Sequence, residues 1–130
     1  MRLNKATHYG LFAALEMARL GGEGTVTVAE VATRHDLPEG VLAKVFQQLA
    51  RAGIAVGTRG VGGGYRLAND PNELTVLDVI DALESPARDS DGAGVSTSPA
   101  GGLHRLFKEV DDLARATFAS TSLETLARER

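Results

Sequence analysis

The most informative residues of the chain form a glycine-rich run at positions 59–67, with the sequence Arg-Gly-Val-Gly-Gly-Gly-Tyr-Arg-Leu. Because glycine lacks a side chain and adopts positive φ angles readily, such a run indicates a sharp turn or a close approach of backbone to a surface. The arginines near both ends favour an anionic surface. A glycine-tipped β-hairpin behind a helix-turn-helix is the wing with which a winged helix binds DNA. The run therefore predicts a wing.

Glycine-rich runs also occur in the phosphate-binding loops of nucleotide-dependent enzymes. Such a loop lies between a strand and a helix, so that the helix N-terminus meets the phosphate. Here residues 65–68 have the pattern of a second short strand, and residues 69–72 have that of a turn. No Gly-Lys-Ser/Thr ending follows the glycines, and the chain offers no plausible nucleophile–base pair. This context argues against an enzyme.

A helix-turn-helix pattern precedes the run. Residues 27–30, Thr-Val-Ala-Glu, have the spacing of a capping box and begin a short helix that extends to about His35. A tight turn at 36–38 follows, with Pro38 at the first position of a helix over about 38–52. Its predicted buried stripe is Leu42, Val45, Phe46 and Leu49. Its opposite face contains Gly40, Lys44, Gln47 and Arg51. A polar face of this kind is often ordinary solvated surface, but the adjacent wing favours a recognition helix for DNA.

Further elements are predicted before and after the helix-turn-helix. Asn4 is predicted to cap a first helix over about 5–20. Residues 54–58 predict the first strand of the wing. Thr75 is predicted to cap a further helix, whose apolar side contains Val76, Val79, Ile80 and Leu83.

The C-terminal part has a different pattern. Residues 85–101 contain almost no apolar side chain and predict a mobile loop. Apolar residues then recur at a/d spacing: Leu103, Leu106, Phe107, Val110, Leu113, Ala114 and Thr117. This seam predicts a helix that packs against its twin in a second copy, with packing inside one chain as the alternative. Thr121 and Glu124 predict a second capping box and a last helix to about Arg128. We expect a DNA-binding domain at 1–84, a loop at 85–101 and a dimerisation region at 102–130.

Composition limits the class of protein. The 130 residues are 43% hydrophobic but only 5% aromatic, which indicates a helical core of Leu, Val and Ala. The absence of cysteine excludes disulfides and any cysteine-ligated metal or iron–sulfur site. No stretch resembles a membrane span or a signal peptide, so we expect a cytoplasmic protein with no membrane partner.

The charge is distributed unevenly along the chain. Residues 1–66 contain eight Lys or Arg and five acidic residues, and residues 67–130 contain six and twelve. A net charge of −3 for the whole chain therefore conceals a basic first half. Such a division is typical of a regulator with one DNA-binding face and one sensing or dimerising face, although a chance gradient gives the same counts.

Several of these segments together resemble the Rrf-two family of bacterial winged-helix regulators. They are residues 1–10 (Met-Arg-Leu-Asn-Lys-Ala-Thr-His-Tyr-Gly), 41–49 (Val-Leu-Ala-Lys-Val-Phe-Gln-Gln-Leu), the glycine wing and 75–80 (Thr-Val-Leu-Asp-Val-Ile). The match extends to about Glu84 and continues more loosely over 102–119. It implies a mainly α fold, a winged helix-turn-helix with a small two-stranded β wing and a long C-terminal dimerisation helix.

The resemblance also implies a homodimer that binds double-stranded DNA at a palindromic operator. The matching positions are Gly40, Ala43 and Lys44 in the recognition helix and Arg59, Gly62 and Gly63 in the wing, which enters the minor groove. Ala43 stands where relatives often have a polar base-contacting residue, so their operator cannot be transferred. Lys44 and Gln47 can reach guanine or adenine edges, whereas Arg2, Lys5 and Arg51 are better placed for phosphates.

Many members of the family hold an iron–sulfur cluster with three cysteines in the loop, and this chain has none. We therefore expect no cofactor. One alternative is a metal or haem site between subunits, formed by His8, His35 and His104 with Asp89 or Asp91. Ordinary surface or capping histidines are the simpler interpretation.

The leading hypothesis is a dimeric transcriptional regulator, a repressor that responds to a small-molecule effector or other signal. The alternative is a winged-helix interaction module whose signal arrives through a protein partner, with the acidic second half as the docking surface.

Overall fold

The computed structural model describes residues 3–21, 23–60, 63–84 and 101–129. These residues form six helices and two strands: α1 (Lys5–Arg19), α2 (Val28–His35), α3 (Glu39–Arg51), β1 (Ala55–Thr58), β2 (Gly64–Leu67), α4 (Val76–Leu83), α5 (Gly101–Ala119) and α6 (Leu123–Arg128). The order confirms the predicted mainly α winged helix-turn-helix with a long C-terminal helix. None of the described helices is long and apolar enough to cross a membrane.

Three helices begin at the predicted caps. The Asn4 side chain accepts from the Thr7 backbone N–H at the start of α1, and that of Thr27 accepts from the Glu30 N–H at the start of α2. Thr75 forms a full capping box with Asp78 at the start of α4. Each side chain satisfies a helix N–H that would otherwise lack a partner, so these short helices begin at defined residues.

The helix-turn-helix comprises α2, a turn and α3. Asp36 ends α2 in the left-handed conformation, with φ of 55°. Pro38 is the N-cap of α3 and not its first helical residue, so the prediction of its position was wrong by one residue. Leu42, Val45, Phe46 and Leu49 are at most 1% exposed, which confirms the predicted buried stripe. Burial of this stripe fixes the polar face outward.

The wing is an antiparallel hairpin in which Ala55 pairs with Leu67 and Thr58 with Gly64. Strand β1 begins one residue later than predicted, since Ile54 precedes it, and β2 begins one residue earlier, since Gly64 is already paired. Val26, before α2, forms an additional antiparallel bridge with Tyr65. This bridge ties the hairpin to the helical core.

Helix α1 lies at the centre of the core. A Cβ at Gly10 would lie 2.0 Å from Cδ1 of Leu83, so the absence of a side chain lets α4 approach α1 closely. Helix α6 also contacts α1, and its Leu123 is fully buried. The predicted cap of α6 was wrong: Ser122 accepts from the Thr125 N–H, whereas the Thr121 hydroxyl donates to the Thr117 carbonyl at the end of α5.

Helix α5 begins at Gly101, which the sequence had assigned to the loop; residues 85–100 lie outside the described part of the chain. Arg115 donates to both carboxylate oxygens of Asp81 on α4, at 3.2 and 3.3 Å. The α5 stripe, defined here as Leu103, Leu106, Phe107, Val110 and Leu113, is 48–69% exposed. At 100° per residue the stripe spans an arc of about 120°. Among the described residues, none covers this apolar face fully.

Candidate nucleic-acid interface

The outer face of α3 presents the polar residues that the sequence predicted there. Gly40, Lys44, Gln47 and Arg51 are exposed, and Ala43 is half-buried at the edge of the face. The face has two cationic groups and one amide, all on a helix held rigidly by its buried stripe. Such groups can bond to phosphate oxygens or to the edges of bases.

A cleft of about 400 Å³ separates the first turn of α1 from α3. Its lining comprises Ala6, Val41, Lys44, Val45, Gln47, Gln48 and Arg51. Lys5, beside Ala6, is exposed at the start of α1, whereas Arg2 lies outside the described residues. The cleft thus brings the α1 N-terminus alongside the polar face of α3.

Two lining residues of α3, Val41 and Gln48, were missed in the sequence, as was Ala6 of α1. The side chain of Val41 is 41% exposed, although it is apolar and lies in the first turn of α3. Helical periodicity could have found both, because Val41 precedes Lys44 by three residues and Gln48 follows it by four.

The wing glycines pack against the protein's own backbone. A Cβ at Gly63 would lie 2.4 Å from the carbonyl oxygen of Thr58, and one at Gly64 would lie 2.5 Å from that of Val26. The Gly63 N–H donates to the carbonyl of Gly60 at 2.9 Å, which closes the tip of the hairpin. Arg59 is exposed at the end of β1, and Gly62 lies outside the described residues. Internal packing is thus one physical reason for the glycine run.

A buried carboxylate joins α1 to α2 behind the interface. Glu16 is 3% exposed, and its Oε1 accepts from Nη1 of Arg19 at 2.8 Å and contacts Nε2 of His35 at 3.0 Å. Arg34 donates to Oε2 of the same carboxylate. The ring of His35 also stacks on Phe12, with centroids 5.0 Å apart. This cluster fixes the end of α2, and hence the turn into α3, against α1.

The Glu16 cluster predicts how stability depends on pH. Burial alone would raise the pKa of Glu16, but hydrogen bonds from His35 and Arg34, with the charge of Arg34, hold that pKa below its ordinary value of 4.5. A carboxyl with a lowered folded-state pKa stabilises the protein above its unfolded pKa, and this stabilisation disappears as pH falls through the folded pKa.

We therefore expect Glu16→Gln to lower the free energy of unfolding by about 1–2 kcal/mol at pH 6, because hydrogen bonds to a charged group are lost. The difference from wild type should shrink as pH falls below 4.5, the ordinary pKa of the group. Urea unfolding between pH 6 and 3 measures it, with Glu73→Gln as an exposed control. A difference that does not change with pH would contradict this account.

The histidines do not form a metal site within the described residues. His35 is engaged by Glu16, and no group of three or more His, Asp or Glu side chains in the described ranges is arranged to hold a metal ion. His8 is exposed on α1 and His104 is half-buried on α5. Asp89 and Asp91 lie outside the described residues. A metal or haem site that includes Asp89 or Asp91, or is shared between two chains, stays a prediction.

Known proteins resemble this chain in both sequence and structure. A family model described as Rrf2, iron-dependent transcriptional regulator, matches residues 3–129. The HTH-type transcriptional regulator BadM of Rhodopseudomonas palustris is 35% identical over 129 residues, 98% of this chain and 82% of BadM. The HTH-type transcriptional regulator CymR of Bacillus subtilis is 30% identical over 127 residues, 98% of this chain and 90% of CymR.

Solved structures give the same result. CymR, the global cysteine regulator of B. subtilis, has a TM-score of 0.83 at 27% identity, covering 100% of this chain and 98% of that chain. IscR of T. potens has a TM-score of 0.81 at 26% identity, covering 99% of this chain and 88% of that chain. The chain therefore belongs to the Rrf2 family of helix-turn-helix transcriptional regulators.

Proposed function

We propose that this regulator is a repressor that binds a palindromic operator as a homodimer in the cytoplasm, without a cysteine-ligated cluster. The main support is the exposed polar face of α3, which lies beside the cleft at the α1 N-terminus and is followed directly by the wing. A recognition helix enters the major groove through its N-terminal residues. A dimer with twofold symmetry fits the twofold symmetry of a palindromic operator.

In this proposal α3 provides the base contacts. Gly40 and Ala43, near its N-terminus, allow close approach of the helix to the bases, and Lys44 and Gln47 extend to guanine or adenine edges. Phosphates are bound by Arg51, by Lys5 and by Arg2. The cleft supports this division, because Arg51 lines it at the last residue of α3 and Ala6, the neighbour of Lys5, lines it on the α1 side.

The wing provides the second contact with DNA. Arg59 and the glycines at 62 and 63 enter the minor groove, where the narrow groove of A·T-rich DNA attracts guanidinium groups. The exposed position of Arg59 at the end of β1 supports this role.

The α5 stripe supports the proposed homodimer. On the side that faces α4, α5 uses a different set of residues, which includes Arg115, paired with Asp81, and Phe118, packed on the core. A second α5 would cover the stripe and set the spacing of two recognition helices. We propose that residues 1–84 bind DNA, that 102–130 dimerise, and that the intervening 85–101 connect the two.

Replacement of Arg59 tests the proposal. We expect Arg59→Ala to weaken operator binding by about 1–3 kcal/mol, roughly 5- to 150-fold, because a contact to base edges is lost. Fluorescence anisotropy on the operator that the protein selects measures this affinity. Arg128→Ala on α6 is the control, since it removes the same single positive charge away from the wing. Equal affinities for wild type and Arg59→Ala would count against the wing as a DNA contact.

A further inference from the structure

The aromatic ring of Tyr65 lies where the wing meets the recognition helix. It stacks on Phe46 of α3, with ring centroids 4.7 Å apart and an interplanar angle of 24°. Phe46 is fully buried and belongs to the stripe that orients α3. The stack therefore joins β2 directly to the helix that presents Lys44 and Gln47.

Two further contacts hold Tyr65 in place. Its backbone N–H donates to the Val26 carbonyl at 2.7 Å, and its carbonyl accepts from the Val26 N–H at 2.9 Å. Gly57, its partner across the hairpin, lies against the ring: a Cβ there would be 3.2 Å from Cε1 of Tyr65. The backbone bonds to Val26, the ring of Phe46 and the close approach of Gly57 thus all restrain Tyr65.

The wing depends on such an anchor because an isolated two-stranded hairpin is marginally stable in water. Each strand has four residues. Arg59 follows Gly57 by two residues, and Lys44 precedes Phe46 by two. The stack therefore joins the two elements, the wing and α3, on which the proposed minor-groove and major-groove contacts lie.

We infer that Tyr65 is a positioning residue that fixes the wing relative to α3, so that Arg59 and the α3 face contact one operator half-site together. This inference rests on the proposed function. Its consequence is an energetic coupling: loss of the Tyr65 ring removes the contribution of Arg59 without touching Arg59 itself.

A double-mutant cycle tests the coupling, since contacting or linked residues give non-additive changes. Operator affinity is measured for wild type, Tyr65→Leu, Arg59→Ala and the double variant. We expect Tyr65→Leu to weaken binding roughly tenfold in the wild-type background and less than about twofold in the Arg59→Ala background. A full tenfold loss in both backgrounds would overturn the inference.

Control variants separate positioning from stability and from a contact by the hydroxyl group. Tyr65→Phe keeps the ring and should bind the operator as wild type does. Ile80→Val, a buried change in α4, lowers the melting temperature without altering the wing and should leave affinity unchanged. Affinity lost equally in Tyr65→Phe, or lost in Ile80→Val, would contradict a role for the stacked ring.

Gly57→Ala provides an independent perturbation, because its Cβ would lie 3.2 Å from Cε1 of the ring and press on it. It should weaken binding in the wild-type background and have little effect in Arg59→Ala. If Arg59→Ala alone leaves affinity unchanged, the proposed wing contact fails. If Arg59→Ala weakens binding and the Tyr65 effect is additive, only the positioning role fails.

Discussion

A double replacement in the α5 stripe, Phe107→Asp with Val110→Asp, is expected to give a monomer that binds the operator at least about 100-fold more weakly. The two side chains are 60% and 48% exposed in one chain. In the proposed dimer both side chains lie in the apolar interface between the two α5 helices, so four carboxylates would be placed in that interface. A monomer contacts a single half-site and loses the gain from simultaneous binding of two.

Sedimentation analysis and operator titration measure the two effects. Arg105→Ser with Ala116→Asp is a matched control, since it lowers the net charge by the same two units on exposed positions outside the α5 stripe. That control should remain dimeric and bind DNA normally. A Phe107→Asp, Val110→Asp protein that stays dimeric with wild-type affinity would refute the α5 interface.

The second large effect is expected at Gly64, where alanine should lower the free energy of unfolding by about 3 kcal/mol. Gly64 has φ of 154°, and a Cβ there would lie 2.5 Å from the oxygen and 2.9 Å from the carbon of the Val26 carbonyl. Both contacts are backbone, so neither can move aside without breaking the bridge between Val26 and Tyr65.

Gly40→Ala is the natural control. It lies in α3, and a Cβ built there would meet nothing within 4 Å beyond its chain neighbours and the backbone of its own helix. Alanine in a helix is favoured over glycine by roughly 0.5–1 kcal/mol, so this variant should be slightly more stable than wild type. Urea unfolding compares the two. Similar midpoints for Gly64→Ala and Gly40→Ala would show that the Val26 bridge does not restrict position 64.

The local features of the fold could be predicted because each depends on neighbours in sequence. Asn4, Thr27 and Thr75 begin helices through bonds to residues three positions away, and the α3 stripe follows from helical period. These features located the helix-turn-helix, and the glycine run located the wing. The DNA-contact roles of individual residues stay predictions.

The features that sequence did not reveal depend on distant residues. Glu16 looked like any helical acid, yet it is buried because Arg34 and His35 reach it from α2. Val26 forms an antiparallel bridge with Tyr65, which is 39 residues further along the chain. Ser122 forms a similar bridge with Thr75, which holds the start of α6 beside the start of α4. Thr121 with Glu124 has the spacing of a capping box, yet Ser122 is the cap, because the Thr121 hydroxyl bonds instead to the Thr117 carbonyl at the end of α5.

The glycine run shows how one pattern serves more than one purpose. Its residues suggested close approach of backbone to DNA, and the structure gives an internal reason at Gly63 and Gly64. The interface must therefore be tested through the exposed cation of the wing, Arg59, and not through the glycines that hold the hairpin together.

Binding of a palindromic operator by a dimer is most directly tested by selection of bound duplexes from genomic fragments at two salt concentrations. Wild type should enrich a palindromic site, and affinity for it should fall steeply with salt because bound phosphates release counterions. The Arg59→Ala protein should lose most of that affinity. Binding to an enriched site that is indifferent to Arg59 would contradict only the wing contact. The absence of any enriched site would contradict an operator-binding dimer and favour a module controlled through a protein partner.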